Sequence, residues 1–295
     1  MKWTDALLPV GLVLAALPQT ADAAACCVGA TSALPTRVGE CEKAVVAMSV
    51  LHEQTMGWWD EQGQTTEAVG YTEEAWIGNL GMGLRLARQW ELAARLPLRN
   101  NHLAAGSLDS VGAGLGDARM LALWDPTVER PPSLDGAGPT PVGIVGLRLP
   151  TGRDWTESDD PLNADVTGLE HGALIVGGQL ERTLGAWPWS AGAMAEGDLQ
   201  VAGRPTGVLL GNATFGRYFG SGWTALLTGT YTLGQADPTG TSATTRQTAA
   251  GARLVRGRPL AWRVWAGAEA DIPVAGLGRA TAQTTSVGLG YAHVW

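Results

Sequence analysis

The sequence predicts an all-β fold: a transmembrane antiparallel up-and-down β-barrel of about 12 strands, with 10 to 14 as the range. Three observations predict it. Segments of ten or more residues alternate apolar and polar side chains, too long for ordinary soluble strands. Beyond the N-terminal 23 residues no stretch of 18 apolar residues occurs, which excludes membrane-spanning helices. The final strand stops on an aromatic residue, Trp295.

Composition narrows the class further. The 295 residues include 41 Gly and 13 Trp but only 2 Phe and 4 Tyr, and 16% are charged. Lysine occurs only at Lys2 and Lys43. The formal net charge of −8 excludes a basic nucleic-acid-binding chain and a polybasic membrane-surface segment.

At the N-terminus, Lys2 precedes the apolar run Ala6–Leu17, and Thr20-Ala21-Asp22-Ala23 offers an A-x-A cleavage site. This is the pattern of a secretory signal peptide spanning residues 1–23. Cleavage before Cys26 with lipid attachment to its sulfur is the alternative. Residues 24–42, with Cys26, Cys27 and Cys41, form a periplasmic or plug segment. Export permits a disulfide between Cys41 and either Cys26 or Cys27. The barrel occupies residues 43–295.

Twelve strand segments follow, at 43–52, 74–87, 89–99, 114–125, 140–150, 170–183, 187–200, 204–218, 222–235, 242–255, 259–272 and 283–295. Trp223 to Gly234 illustrates the pattern: Trp223, Ala225, Leu227, Tyr231 and Leu233 share one face, and Thr224, Thr228, Thr230 and Thr232 the other. Connections alternate between tight ones, near 88, 184–186, 219–221 and 256–258, and longer ones. The longer ones, at 53–73, 100–113, 151–169, 236–241 and 273–282, are expected as external loops. Segments 126–139 and 201–203 fit this alternation less well. The arrangement is that of an outer-membrane barrel of a Gram-negative bacterium with both termini periplasmic.

Tryptophan placement agrees. Trp76, Trp90, Trp124, Trp187, Trp223, Trp262 and Trp295 fall near segment ends on the apolar face, as an aromatic girdle at the lipid–water boundary would. The last residues place Val287, Leu289, Tyr291, His293 and Trp295 on one face. This is similar to the terminal strand that barrel-assembly machinery reads, so that machinery and outer-membrane lipids are the expected partners, with a small-molecule solute.

The opposite faces carry charge. Arg85, Glu91, Arg95, Arg99, Asp117, Arg119, Arg148, Glu181, Glu196, Asp198, Arg204, Arg253, Arg263, Glu269 and Asp271 are expected to line the lumen. Both signs occur, so they either pair into an internal network or hydrate a passage of mixed selectivity. Twelve strands leave less room than the water-filled porins with 16–18 strands, so a narrow or plugged pore is expected. Met48, Met56, Trp58, Trp59, Leu80 and Met82 form an apolar patch near the first loop. It is read either as a ligand-docking surface or, with Trp58-Trp59, as a contact with outer-leaflet headgroups.

Several pieces, Gln89–Pro97 (QWELAARLP), Gly114–Asp117 (GLGD), Val142–Gly152 (VGIVGLRLPTG) and the Gly177-Gly178 pair, occur in an order and spacing that resemble a known family. It is the outer-membrane barrel family assigned to meta-pathway phenol degradation or transport. The resemblance covers about a third of the chain at the level of motifs. It implies uptake of hydrophobic or aromatic compounds. The N-terminal CCVGATS…GEC stretch and residues 53–73 have no counterpart in that family.

Catalytic signals are weak. His52, His102, His171 and His293 have no serine beside them in a nucleophile motif. Asp159-Asp160 with His171 downstream is generic, and Asp154, Glu157, Asp159 and Asp160 lack the spacing of a calcium loop. No cofactor or metal motif appears. The sequence therefore points to a transport barrel, with a closed structural or surface barrel as the alternative and a barrel hydrolase as the weakest reading.

Overall fold

The computed structural model describes residues 37–38, 42–126, 139–169, 171–199, 207–234, 245–258, 261–272, 278 and 280–295. The signal segment, Cys26, Cys27, Cys41 and Arg204 lie outside them.

Fourteen strands make one sheet: β1 (Ala44–Trp59), β2 (Thr65–Glu67), β3 (Tyr71–Ala87), β4 (Trp90–Ala105), β5 (Leu108–Leu115), β6 (Ala118–Trp124), β7 (Thr140–Leu149), β8 (Ala173–Leu184), β9 (Trp187–Asp198), β10 (Gly207–Phe219), β11 (Trp223–Gly234), β12 (Thr245–Arg258), β13 (Trp262–Asp271) and β14 (Thr281–Val294). Neighbours are antiparallel throughout, and β14 pairs with β1 from Val45↔Val294 to Trp59↔Thr281, which closes the sheet. β2 is a short addition to the tip of β1. β5 and β6 both pair with β4 and act as one interrupted wall strand. The wall is thus a 12-stranded antiparallel barrel. With an even number of strands, both termini of the barrel lie at one end. That end also holds the turns at Arg88-Gln89, Gly185-Ala186 and Gly220–Gly222.

Side-chain exposure separates the two faces. Met48, Val50, Leu80, Met82, Leu92, Leu98, Val145, Leu147, Leu174, Val176, Leu227, Leu254, Val287 and Leu289 are large, apolar and exposed, and they occupy alternate positions on successive strands. The intervening positions hold the buried polar residues Asn79, Glu91, Asn101, Arg148, Gln179, Asn212, Thr214, Thr228 and Arg263. Apolar outside and polar inside is the inverse of a soluble core and is the pattern of a sheet solvated by lipid. The protein is an outer-membrane β-barrel of the Gram-negative type.

Two expected loops are strands. Residues 53–59 continue β1 and 71–73 begin β3, while 100–105 and 108–113 form the tip of the β4–β5 hairpin around a turn at Gly106 with φ of 62°. These segments are polar, which read as loop, yet their backbones complete the ladders Tyr71↔Ala105 and Ala105↔Leu108. β7 stops at Leu149, and on the side away from β8 it pairs with β6, from Ala118 on, and not with β5, so among the described residues the edge of β5 turned from β4 has no strand beside it. The wall is therefore tall along β1, β3, β4 and β5 and low along β6–β9.

Candidate functional site: the occupied lumen

The lumen holds three layers, stacked from the end with the tight turns to the opposite mouth. The first is an ionic clasp around the residues that precede β1. Val38 is 2% exposed, and its N–H donates to Glu91 Oε1 at 2.6 Å. Arg85 Nη2 donates to the Val38 carbonyl at 3.0 Å, and Arg85 Nε to the Glu42 carbonyl at 3.3 Å. Arg37 pairs with Glu181, and lies 3.7 Å from Asp125 and 3.9 Å from Glu91. Glu42, 2% exposed, pairs with the buried Arg263 across 221 residues of sequence. The inner ends of β3, β4, β6, β8 and β13 thus grip one short stretch of chain.

The second layer is apolar. Ala93, Leu121, Leu123, Val142, Ile144, Ile175 and Met194 are buried together, with Leu210 packed against them. They come from adjacent strands β4 and β6–β10 at inward positions. Alternation does not disclose this layer: β6 reads ARMLALW, apolar on both faces, so its inward side cannot be assigned from the sequence.

The third layer is charged. Arg95, Arg119 and Arg148 are direct cross-strand neighbours on β4, β6 and β7. Arg148 is the hub: it reaches Glu196 at 2.6 Å, Asp198 at 2.8 Å and Asp117 at 3.8 Å. Arg119 shares Glu196 at 3.1 Å, and Arg99 lies 3.7 Å from Glu53. On the facing wall the guanidinium of Arg253 sits 4.5 Å from the ring centre of Trp265, an inward tryptophan outside the expected girdle. Thr230 donates to Glu269 at 3.3 Å, and Gln247 and the Thr284 N–H donate to Asp271 at 3.1 and 2.7 Å. A cavity of about 30 Å³ between Leu51, Arg253, Trp265, Glu269 and Ser286 remains, room for a water or two.

Residues 150–169 pack against the inner side of β4 and β5 at the opposite mouth, and two sequence motifs hold them there. The GLGD stretch breaks the wall between β5 and β6, and the PTG stretch fills the break. Thr151 Oγ1 donates to the Gly116 carbonyl at 2.7 Å and accepts from the Ala118 N–H at 2.9 Å. The Asp117 carboxylate accepts from Gly152 N–H at 3.2 Å and Leu169 N–H at 2.9 Å, tying both ends of the loop to one side chain. Asn101 on the inner wall donates to the carbonyls of Ala164 and Val166, each at 3.0 Å. Gly112 lies opposite Asn101, and a Cβ there would collide with the backbone of Ala164 and Asp165. Glycine is needed for this close approach.

The acidic loop residues serve the loop itself. Asp154 caps a 3₁₀ turn, Trp155–Glu157, by accepting from the N–H groups of Thr156 and Glu157. Asp160 accepts from the N–H groups of Leu162 and Ala164 at 2.8 and 3.2 Å. The hydroxyl of Ser158, then Arg153, hold the Asp165 carboxyl below its ordinary value of 3.8. A depressed carboxylate stabilises the loop above the unfolded value and ceases to as pH falls through its folded value. An environment-sensitive dye on Glu157→Cys is therefore expected to report an unchanged loop from pH 7 to 5 and loosening only below about pH 3.8.

The tryptophans divide unevenly. Trp76, Trp90, Trp124 and Trp295 are exposed outside the wall, at 54%, 45%, 43% and 53%. Trp187, Trp223 and Trp262 are half-buried on the same outer face, and Arg217 and Arg256 stack on Trp187 and Trp223. All but Trp76 lie at the end with the tight turns. Met48, Met56, Leu80 and Met82 are exposed on the outer face. Trp59 departs from its expected contact with headgroups: it is 4% exposed and packs against Gly278. The histidines are dispersed, His52 beside Glu74 and Trp76, His102 beside Asp109, and His293 against Trp295.

No protein-family model matches the chain. No curated protein matches it in sequence. Solved structures match its fold. An outer membrane channel from Pseudomonas putida F1 aligns with a TM-score of 0.67 and 15% identity, covering 86% of this chain and 96% of that one. The translocator domain of the autotransporter NalP from Neisseria meningitidis aligns at 0.52 and 12%, covering 99% and 97%. The β domain of the Bordetella autotransporter BrkA aligns at 0.51 and 14%, covering 86% and 100%. At these identities the likeness is one of fold, and the fold is that of outer-membrane barrels.

Proposed function

We propose that this barrel passes small, largely apolar molecules across the outer membrane through a narrow lumen closed at rest. The observation that carries this reading is the apolar layer inside the wall. A barrel that only needed filling would be served by the charged pairs already present at both ends. Once the lumen opens, an apolar band between two ionic layers gives a hydrophobic solute a favourable surface midway, at about 25 cal/mol per Å² of apolar contact. The fold shared with the Pseudomonas channel supports the reading, as does the resemblance to barrels assigned to phenol degradation. The exposed Trp295, beside the seam where β14 meets β1, suits recognition of the terminal strand by assembly machinery.

Vesicle swelling tests the reading. Proteoliposomes holding the folded chain are expected to admit phenol or toluene faster than protein-free vesicles and to admit sugars no faster. Equal rates for the aromatic solutes with and without protein would overturn it and leave a closed structural barrel.

A further inference from the structure

Arg95 is the one member of the arginine row whose charge is not matched at contact distance. Arg148 meets three carboxylates and Arg119 meets Glu196. Among the described residues Arg95 makes a single hydrogen bond, from Nε to the amide oxygen of Asn79 at 2.7 Å, and Asn79 in turn contacts Ser49 Oγ at 3.4 Å. Among the described residues no carboxylate lies within 4.0 Å of Arg95; Glu53, the acid that acts on it from farther off, pairs with Arg99. Nearby, Arg99 Nε is buried without a hydrogen-bond partner. Direct cross-strand pairing of Arg95 with Arg119 is a like-charge contact that costs stability. Three neighbouring guanidiniums with one left open are costly unless an anion visits them.

From this juxtaposition we infer that Arg95, flanked by Arg99 and Arg119, is a carboxylate-binding site in the lumen, and that the molecules it takes are small monocarboxylates with an apolar body. Asn79 holds Nε, which leaves the two terminal nitrogens of Arg95 for the ligand. A planar guanidinium edge matches a carboxylate in a bidentate fork. One position along β4 and β6, on the inward side, Ala93 and Leu121 open the apolar layer, so head and body find their chemistry in sequence. The inference rests on the proposed passage and deepens it: the solutes carry a charged head, and the arginine row selects it.

Calorimetric titration of the folded full-length chain in detergent tests this, with benzoate, benzamide and acetate as probes. Benzoate is expected to bind, benzamide, which lacks the charge, to bind at least tenfold more weakly, and acetate, which lacks the apolar body, to fall between them or below. Arg95→Gln is expected to weaken benzoate on the order of tenfold, and Arg95→Lys, which keeps the charge but not the fork, less so. Heat-modifiable gel mobility reports folding, and if the Gln variant does not fold, the Lys variant and Asn79→Leu carry the comparison. Equal binding of benzoate and benzamide, or of benzoate to wild type and the folded Arg95 variant, overturns the site. Vesicle swelling on the same preparations separates the two readings. A barrel that binds benzoate but passes nothing keeps the site and loses the passage, and one that passes phenol but ignores benzoate does the reverse.

Discussion

Removing the residues up to Cys41 is expected to turn a nearly silent barrel into one with discrete, larger conductance steps in a planar bilayer. Arg37 and Val38 leave with that segment. Glu91 and Arg85 then lose the Val38 backbone, and Glu91, Asp125 and Glu181 lose the cation they share. The same end is expected to loosen without truncation in Arg37→Ala, because Glu91, Asp125 and Glu181 then lose the one guanidinium that lies within 4 Å of all three. Breaking a buried ion pair by removing one partner costs about 3–5 kcal/mol. At 1.4 kcal/mol per factor of ten, the lower figure corresponds to about a hundredfold rise in the open fraction. Arg263→Ala, which removes the cation paired with the buried Glu42, is expected to do the same and to lower barrel stability. Replacing both partners, as in Arg263→Met with Glu42→Leu, is expected to restore most of that stability, since an apolar pair of similar volume leaves no unpaired charge. Identical conductance in the full, truncated and Arg37→Ala barrels would show that the clasp closes nothing.

The clasp marks the limit of what the sequence discloses. Strand alternation gave the 12 staves and the apolar outer face, because each depends only on neighbours two residues apart. The union of Glu42 with Arg263 spans 221 positions, and no local pattern announces it. Much of the expected loops 53–73 and 100–113 is strand for a related reason. Their polarity is that of loops, but the barrel continues into water there, and a strand above the membrane needs no apolar face. Trp265 went unassigned because it sits among inward Arg263 and Glu269, where tryptophan breaks the polar pattern, and only Arg253 above its ring explains it. The motifs GLGD and PTG were legible as turn chemistry. Their joint purpose, with Asp117 tying Gly152 and Leu169, is a contact across 35 and 52 residues that spacing does not reveal.

The outer face yields the second large effect. Leu227 on β11 is 59% exposed, four positions beyond Trp223, with lipid as its solvent. Leu227→Arg is expected to destabilise the barrel by about 2–4 kcal/mol, the cost of a guanidinium near the bilayer midplane. Leu184, 49% exposed beside the turn at Gly185, faces the same side at the membrane boundary, and Leu184→Arg is expected to cost only about 0–1 kcal/mol. The chain already uses this depth rule. Its outward arginines Arg182, Arg217, Arg256 and Arg258 gather at the end with the tight turns, where Arg217 and Arg256 lie over Trp187 and Trp223. There the guanidinium carbons of Arg217 and Arg256 sit 4.9 and 5.1 Å from the indole centres, a cation–π contact at the membrane boundary. Reversible guanidinium unfolding in lipid vesicles, followed by tryptophan fluorescence, measures both variants. If Leu227→Arg cost no more than Leu184→Arg, Leu227 would be facing water, and the apolar belt would be the surface of something other than a membrane wall.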